Sequence, residues 1–458
     1  MESENNKTAP LPLLDEEEQK QQQKQQALDS EQNPPRLSTA EKINDFFKLF
    51  HITNPLTFMS PENGELGTVI LLINTMIGAG ILNQPYVFSK AGILGACVLY
   101  VLALGTVWLG ANLVVQAGRK VDQMDLSAVG GYCYGILGCG LTDFMIAVAT
   151  FGGLLAYMVV ISGEVVDMLS DIPNSEDQWW TNISILLPVI VLLFCVPTCL
   201  TRHFGHLVLV STISVFSICC VMALVIVYGP IAGREYQHER ILIFSLTGML
   251  TECGSVVFAV TYITGSFFAF NSLELKNQAR WPIVSAKASC MGTFMCFITG
   301  LSGYLSFRSA TNGEILLNFS GGWAYFTKTL LVAHLLLYIP IDFVVMRHSL
   351  VKLFNKEAEK LHTAPFIVLS VMLLAVTTAL VVFLYSKGLA EGELFSSVIS
   401  LTGGVALAFV SFVLPGAVFL KVFAKEIKLY QTWYWMSAGL LCWGITVMII
   451  VPYYVFND

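Results

Sequence analysis

Past residue 60 the chain alternates long apolar runs with short polar connections. Eleven runs reach the length of a helix that crosses a bilayer: roughly 66–91, 92–117, 139–169, 181–201, 205–229, 246–272, 282–306, 322–348, 364–386, 394–421 and 431–455. Two are interrupted by residues that a plain spanning helix does not need. The first contains Asn74-Thr-Met-Ile-Gly-Ala-Gly-Ile-Leu-Asn-Gln-Pro85, which crowds Gly78, Gly80, Asn83, Gln84 and Pro85 together. The sixth contains Thr261-Tyr-Ile-Thr-Gly-Ser-Phe-Phe-Ala-Phe-Asn271, with hydroxyls and Gly265 inside an apolar run. Glycine loosens a helix, and proline removes a backbone bond. At bilayer depth a break is tolerated only where protein or a water-filled cavity surrounds it. The breaks open successive groups of five spans, the spacing of an inverted five-plus-five repeat, with the eleventh span an addition.

Composition supports the pattern. The chain is 55% hydrophobic and 12% charged, with mean hydropathy +0.68, against roughly 25% charged in soluble domains. The expected organisation is a disordered, Gln-rich tail over 1–60 and a transmembrane domain over 61–458. No secretory signal peptide is evident, so the first span serves as the insertion signal. In the tail, Leu13-Leu14 lacks the upstream acid of a dileucine signal, and 38–50 has an amphipathic pattern. The net charge of −7 identifies no partner. Of eleven cysteines, Cys133 and Cys139 fall in an expected cytoplasmic loop, and Cys195 and Cys199 read as packing residues. No CxxC pair or His/Cys cluster suggests zinc.

Lys and Arg number 13 in connections on the side of the tail and 6 on the other, which predicts a cytoplasmic N-terminus. The sequon at Asn318 then falls outside and is a candidate glycosylation site. No phosphate-binding loop, HExxH or nucleotide domain is present, nor a basic, aromatic-interleaved surface. An enzyme, an ATP-driven pump and a nucleic-acid binder are therefore not expected, and no cofactor is.

The first candidate site is Gly78-Ala79-Gly80. Where a helix stops and restarts, its first N–H groups lack partners and carry partial positive charge, which suits a carboxylate. The second is the break in span six, where Tyr262, Thr264 and Gly265 could complete a pocket, with Tyr262, Phe267 and Phe268 as possible gates. Intramembrane titratable groups are informative because they are few. His334, Tyr338 and Asp342 are spaced i, i+4, i+8 and share one helix face. Histidine titrates within the pH range of cellular compartments, so His334, with Tyr338, is the candidate proton group. Asp342 has the competing reading of a partner for Arg347. Glu164 and Asp167 are expected to face the outer vestibule, and Asp143 and Glu252 to be solvated boundary residues.

At Asn74-Thr-Met-Ile-Gly-Ala-Gly-Ile-Leu-Asn-Gln-Pro-Tyr-Val-Phe88, followed by Ala91-Gly92, the chain resembles the amino acid/auxin permease family. Within it, the chain looks most like the neutral amino acid transporters of the sodium-coupled and vacuolar or lysosomal branches. The resemblance covers about 65–455. It implies an all-α, LeuT-like fold of eleven helices with helices 1 and 6 broken, and an α-carboxylate held at Gly78 to Gly80. It matches Asn74, with Thr75 beside it, to a substrate- and sodium-linked position, and backbone carbonyls at Ile73 and Met76 are candidate cation ligands. It departs in span eight, where Leu331 to Asp342 offers no Ser or Thr hydroxyl for sodium. The expected function is secondary active transport of neutral amino acids by alternating access, driven by protons or sodium. The competing class is a transporter-like sensor that signals to a cytosolic partner. The expected setting is the plasma membrane or a vacuolar or endolysosomal membrane, with the protein acting as a monomer and the bilayer and an amino acid as its partners.

Overall fold

A computed structural model describes residues 64–172, 178–200, 216–354, 361–426 and 431–457. The tail, with its dileucine and its amphipathic 38–50 stretch, lies outside the described residues. The described chain is helical: α1 Glu65–Met76, α2 Ala79–Val121, α3 Leu126–Ser170, α4 Ile183–Cys199, α5 Phe216–Ala232, α6 Leu246–Ser272, α7 Leu275–Ala310, α8 Gly322–Lys352, α9 Thr363–Ser386, α10 Glu391–Val422 and α11 Thr432–Asn457. Eight of these, α2, α3 and α6 to α11, are long and apolar enough to cross a membrane. The other three are shorter apolar helices. The chain is thus an all-helical, multi-pass membrane protein.

The break expected near residue 80 lies at Ile77-Gly78. Helix α1 ends at Met76, Ile77 is extended (φ −90, ψ 95), and a tight turn over Ala79–Asn83 leads into the regular helix from Gln84. Pro85 therefore does not break the helix. It sits in the first turn, where a missing N–H costs nothing. The Gln84 amide donates to Gly80 O at 2.7 Å and accepts from Tyr100 Oη at 2.6 Å, which fixes the restart against the second half of α2.

The boundary expected at 91/92 is a turn inside α2 rather than a loop. Gly92 has φ +77 and ψ 166, and a Cβ there would lie 2.6 Å from the Ile243 carbonyl. Only glycine fits such a φ beside a backbone at that distance. The extended stretch before α6 runs along this turn, with Ile93 N to Leu242 O at 3.2 Å and Ser245 N to Ala91 O at 2.9 Å. Helix α3 begins thirteen residues earlier than expected, capped by the Asp125 side chain on Ala128 N and turned at Gly135. Cys133 and Cys139 consequently sit in helix and not in a loop.

Helix α6 is interrupted at Thr261-Tyr262, as its hydroxyls and Gly265 suggested. The segment Cys253–Val260 ends in extended Thr261, and Ser266–Ser272 resumes after a short turn. Glycines bring α6 and α10 together: a Cβ on Gly254 would overlap Ser400 O, and one on Gly403 would overlap Gly254 O. Such backbone contact stabilises helix pairs where burying apolar area gains nothing over lipid.

Four charged residues are placed differently from the solvated or vestibular positions expected of them. Glu252 is buried and accepts from Ser255 (2.7 Å), Ser396 (3.1 Å) and Asn83 (3.3 Å), so it ties α2, α6 and α10 together. Asp143 is buried and accepts from Ser127 at 2.5 Å, with Lys352 at 3.7 Å. Glu164 is fully buried with Lys328 of α8. Arg347 is buried too, stacked 4.0 Å over the Phe366 ring and donating to Cys199 O and Ser370 Oγ at 2.9 Å. It joins α8 to α4 and α9 and does not pair with Asp342. Carboxylates and guanidinium remain at bilayer depth because each meets a partner there.

Candidate binding cavity

The two breaks face one cavity of about 510 Å³. Thr75, Met76 and Gly78 line it from the first break, and Phe258, Thr261, Thr264, Gly265 and Phe268 from the second. Helix α3 adds Gly153 and Tyr157, α8 adds Tyr338 and Asp342, and α10 adds Leu407. From the breaks the lining continues through Ile146, Thr150 and Val345 toward the end of the bundle where α3 begins and α8 ends.

At the first break, Ile81 N reaches back to Gly78 O at 3.3 Å. The N–H groups of Ala79 and Gly80 precede that first bonded turn and have no helical acceptor behind them. Gly78 is open on its cavity side, where an added Cβ would meet nothing nearer than Tyr157 Oη at 3.9 Å. Gly80 differs. A Cβ there would press on Ala259 Cα and Phe258 Cδ1 at 3.0 Å, so its glycine serves packing of α2 on α6. The expectation that Gly80 lines a site does not hold, and neither does it for Ala79, which is buried outside the lining.

Gly265 does for the second break what Gly80 does for the first, because a Cβ there would meet Thr75 Cγ2 at 3.1 Å. Thr75 donates to Leu71 O (2.9 Å), and Thr261 shares a 2.6 Å hydrogen bond with Ser411 of α10. Thr264 faces the cavity as expected. Tyr262 does not: it is fully buried, with its hydroxyl 2.8 Å from Ser289 Oγ, and so is no gate. Phe267 is buried behind the break, whereas Phe268 is 60% exposed and lines the cavity.

Asp342 is the charged residue of this lining. Tyr157 Oη donates to its Oδ2 at 3.0 Å, and the Tyr157 ring stands edge-on to Tyr338 at 6.0 Å. Asp342 also rests on Gly153, whose added Cβ would lie 3.5 Å from Oδ2. His334, the favoured titratable group, is buried outside the lining, 5.5 Å from the Tyr338 ring, with no hydrogen-bond partner at Nδ1. Tyr338 lies between the two and does line the cavity. Met76 faces the cavity, while Ile73 lies outside it and its carbonyl accepts from Ile77 N at 2.9 Å. Asn74 is half-buried and also outside the lining.

Tyr157 had no signal in its own neighbourhood. What reveals it is α3 crossing α8 where Gly153 leaves room for Asp342. Asn318, in the connection before α8, is half-buried; its amide donates to Ala310 O and its oxygen accepts from Asn312 N, both at 2.8 Å.

A half-open cavity between two broken helices, lined by one carboxylate and by Gly78 at a helix restart, is the kind of site by which a membrane protein takes up a small zwitterion. The family comparison agrees. Residues 64–456 match the family model described as transmembrane amino acid transporter protein, and the chain belongs to that family. It is not an enzyme family. Vacuolar amino acid transporter 5 of Schizosaccharomyces pombe is 24% identical over 84% of this chain and 93% of that protein. Sodium-coupled neutral amino acid transporter 7 of Homo sapiens is 24% identical over 82% of this chain and 84% of that protein. Among solved structures, a manganese transporter of Eremococcus coleocola aligns at 11% identity and TM-score 0.49, over 88% of this chain and 95% of that chain.

Proposed function

We propose that this protein is a secondary active transporter of neutral amino acids that works by alternating access around the cavity between the two breaks. The observation that carries the reading is the placing of Gly78, where the helix restarts, and a carboxylate, Asp342, on the walls of one small cavity. A zwitterion needs those two poles. Its α-carboxylate meets the helix start beside Gly78, and its α-amine meets Asp342 and Tyr157. A Cβ on Gly78 would lie 3.9 Å from Tyr157 Oη, and that hydroxyl donates to Asp342 Oδ2 at 3.0 Å, so the poles face each other across a gap that a small amino acid spans. Phe268, Tyr338 and Leu407 surround the remaining volume and favour an uncharged side chain.

In this reading α1 with the start of α2 forms one broken span, and the rest of α2 forms the next. That gives eleven spans in a LeuT-like five-plus-five arrangement plus one. The N-terminus is cytoplasmic, so the cavity opens to the cytoplasm. The driving gradient is of protons or sodium, and the membrane is vacuolar, endolysosomal or plasma membrane. Asp342 takes over from His334 as the ionisable group at the site. The test is tracer flux into proteoliposomes holding the full chain, with each neutral amino acid under separate proton and sodium gradients. Saturable binding without flux under either gradient would replace the transporter with a sensor.

A further inference from the structure

A second group of titratable side chains lies away from the cavity, at the end of the bundle that carries Asn318. Residues 311–321 connect α7 to α8, and they are docked: a Cβ on Gly313 would overlap Gly392 O at the start of α10. Ile315 and Leu316 are buried, and Glu314 between these contacts is 0% exposed. Its carboxyl lies at hydrogen-bonding distance from that of Glu164 on α3, also 0% exposed. Both oxygens of Glu314 lack a hydrogen-bond donor, and the cation beside Glu164 is Lys328.

The groups facing this pair are few. Lys328 of α8 stands 3.1 Å from Glu164 Oε2 and also donates to Asp167 of α3. Glu391 of α10 is mostly buried, packs its carboxyl onto Gly163, and also has an oxygen without a donor. Tyr385 of α9 is near Glu391 and Glu314, and its hydroxyl donates to Val159 O at 3.4 Å. Three carboxyls therefore converge on one ammonium whose single charge Asp167 also shares. Two buried carboxylates in contact cannot both stay ionised. Two acceptors at hydrogen-bonding distance make a bond only if one of them carries a proton.

We propose that Glu314 and Glu164 bind a proton between them, and that this proton is what allows the 311–321 connection to seal its end of the protein. When the connection lifts, Glu314 enters water and loses the reason to hold the proton. Closing is thus proton uptake from the Asn318 side, and opening is proton release to the same side. The site is a latch read by the pH of that compartment, whichever ion drives transport. Burial, with Glu164 and Glu391 beside it, holds the Glu314 carboxyl well above the usual carboxylate range. The sign follows: the closed state is fully favoured below the ordinary carboxylate pKa and is lost as pH rises through the elevated one. Between those values the opening constant rises about tenfold per pH unit for one proton.

Hydrogen–deuterium exchange of the full chain in lipid nanodiscs tests this without requiring transport. Rates are corrected for intrinsic base catalysis, with α7 as internal reference, from about pH 5 to about pH 9. The wild type should lose protection over 311–321 as pH rises, while α7 does not. Glu314→Gln, which keeps a donor at every pH, should stay protected throughout. Protection in the wild type that does not change with pH overturns the proposal, as does a Glu314→Gln profile that tracks the wild type. If that variant does not fold, Glu164→Gln supplies the same permanent donor and the same two outcomes. Failure of flux with this profile intact would count against the transporter reading alone.

Discussion

Asp342→Asn isolates the charge at the binding cavity. The amide has the size of the carboxyl, and Tyr157 can still donate to its oxygen, so the contact between α3 and α8 survives. What disappears is the negative charge that the proposed function sets opposite the α-amine. Phe258, Phe268, Tyr338 and Leu407 replace part of the water around that interaction, and Asp342 is half-buried. Removing one partner of a charged contact in such a site costs about 2–4 kcal/mol. At about 1.4 kcal/mol per decade, affinity for neutral amino acids should fall about 30- to 1,000-fold. Calorimetry on the full chain in nanodiscs measures this directly. A deaminated analogue that keeps the α-carboxylate supplies the control: the wild type should discriminate strongly against it and Asp342→Asn far less. Unchanged affinity in the variant, or equal discrimination by both proteins, would show that the amine is read elsewhere.

The two glycines of the first break should separate. Gly78→Ala has room and should fold normally but lose uptake, whereas Gly80→Val forces Ala259 and Phe258 apart and should lower stability by about 1–3 kcal/mol, seen as reduced folded yield and thermal midpoint. Lys328→Met strands Glu164 and should cost about 3–5 kcal/mol, with Glu164→Gln restoring much of the loss in the double variant by thermal unfolding. His334→Gln, outside the cavity, should leave uptake and its pH profile as in the wild type; a lost pH response would return the proton role to histidine. A cysteine at position 312 should react only with reagent added on the side opposite the N-terminus, and labelling from the N-terminal side would reverse the orientation.

Much of the architecture was readable from the chain because hydrocarbon imposes a simple rule. Each spanning segment must satisfy its own backbone, so length and polarity alone mark its ends to within a few residues for α6 and for α8 to α11. Breaks are readable for the same reason: Gly78, Thr261, Thr264 and Gly265 have no place in an uninterrupted apolar helix. The roles of individual residues were not readable, since they depend on which helix lies opposite. Gly78 and Gly80 look equivalent in sequence, yet one faces a cavity and the other faces Ala259. Tyr262 and Phe268 are both aromatic residues at one break, yet only Phe268 reaches the cavity. Asp342 looked like a partner for Arg347 one turn further along α8, but α3 brings Tyr157 to the first while α4 and α9 take the second. Glu164, Glu314 and Glu391 are far apart in the chain; Glu164 was expected to face the outer vestibule, and nothing in the sequence singles out the other two. Packing of three helices and one connection buries them together, and burial without enough positive charge turns them into a proton site.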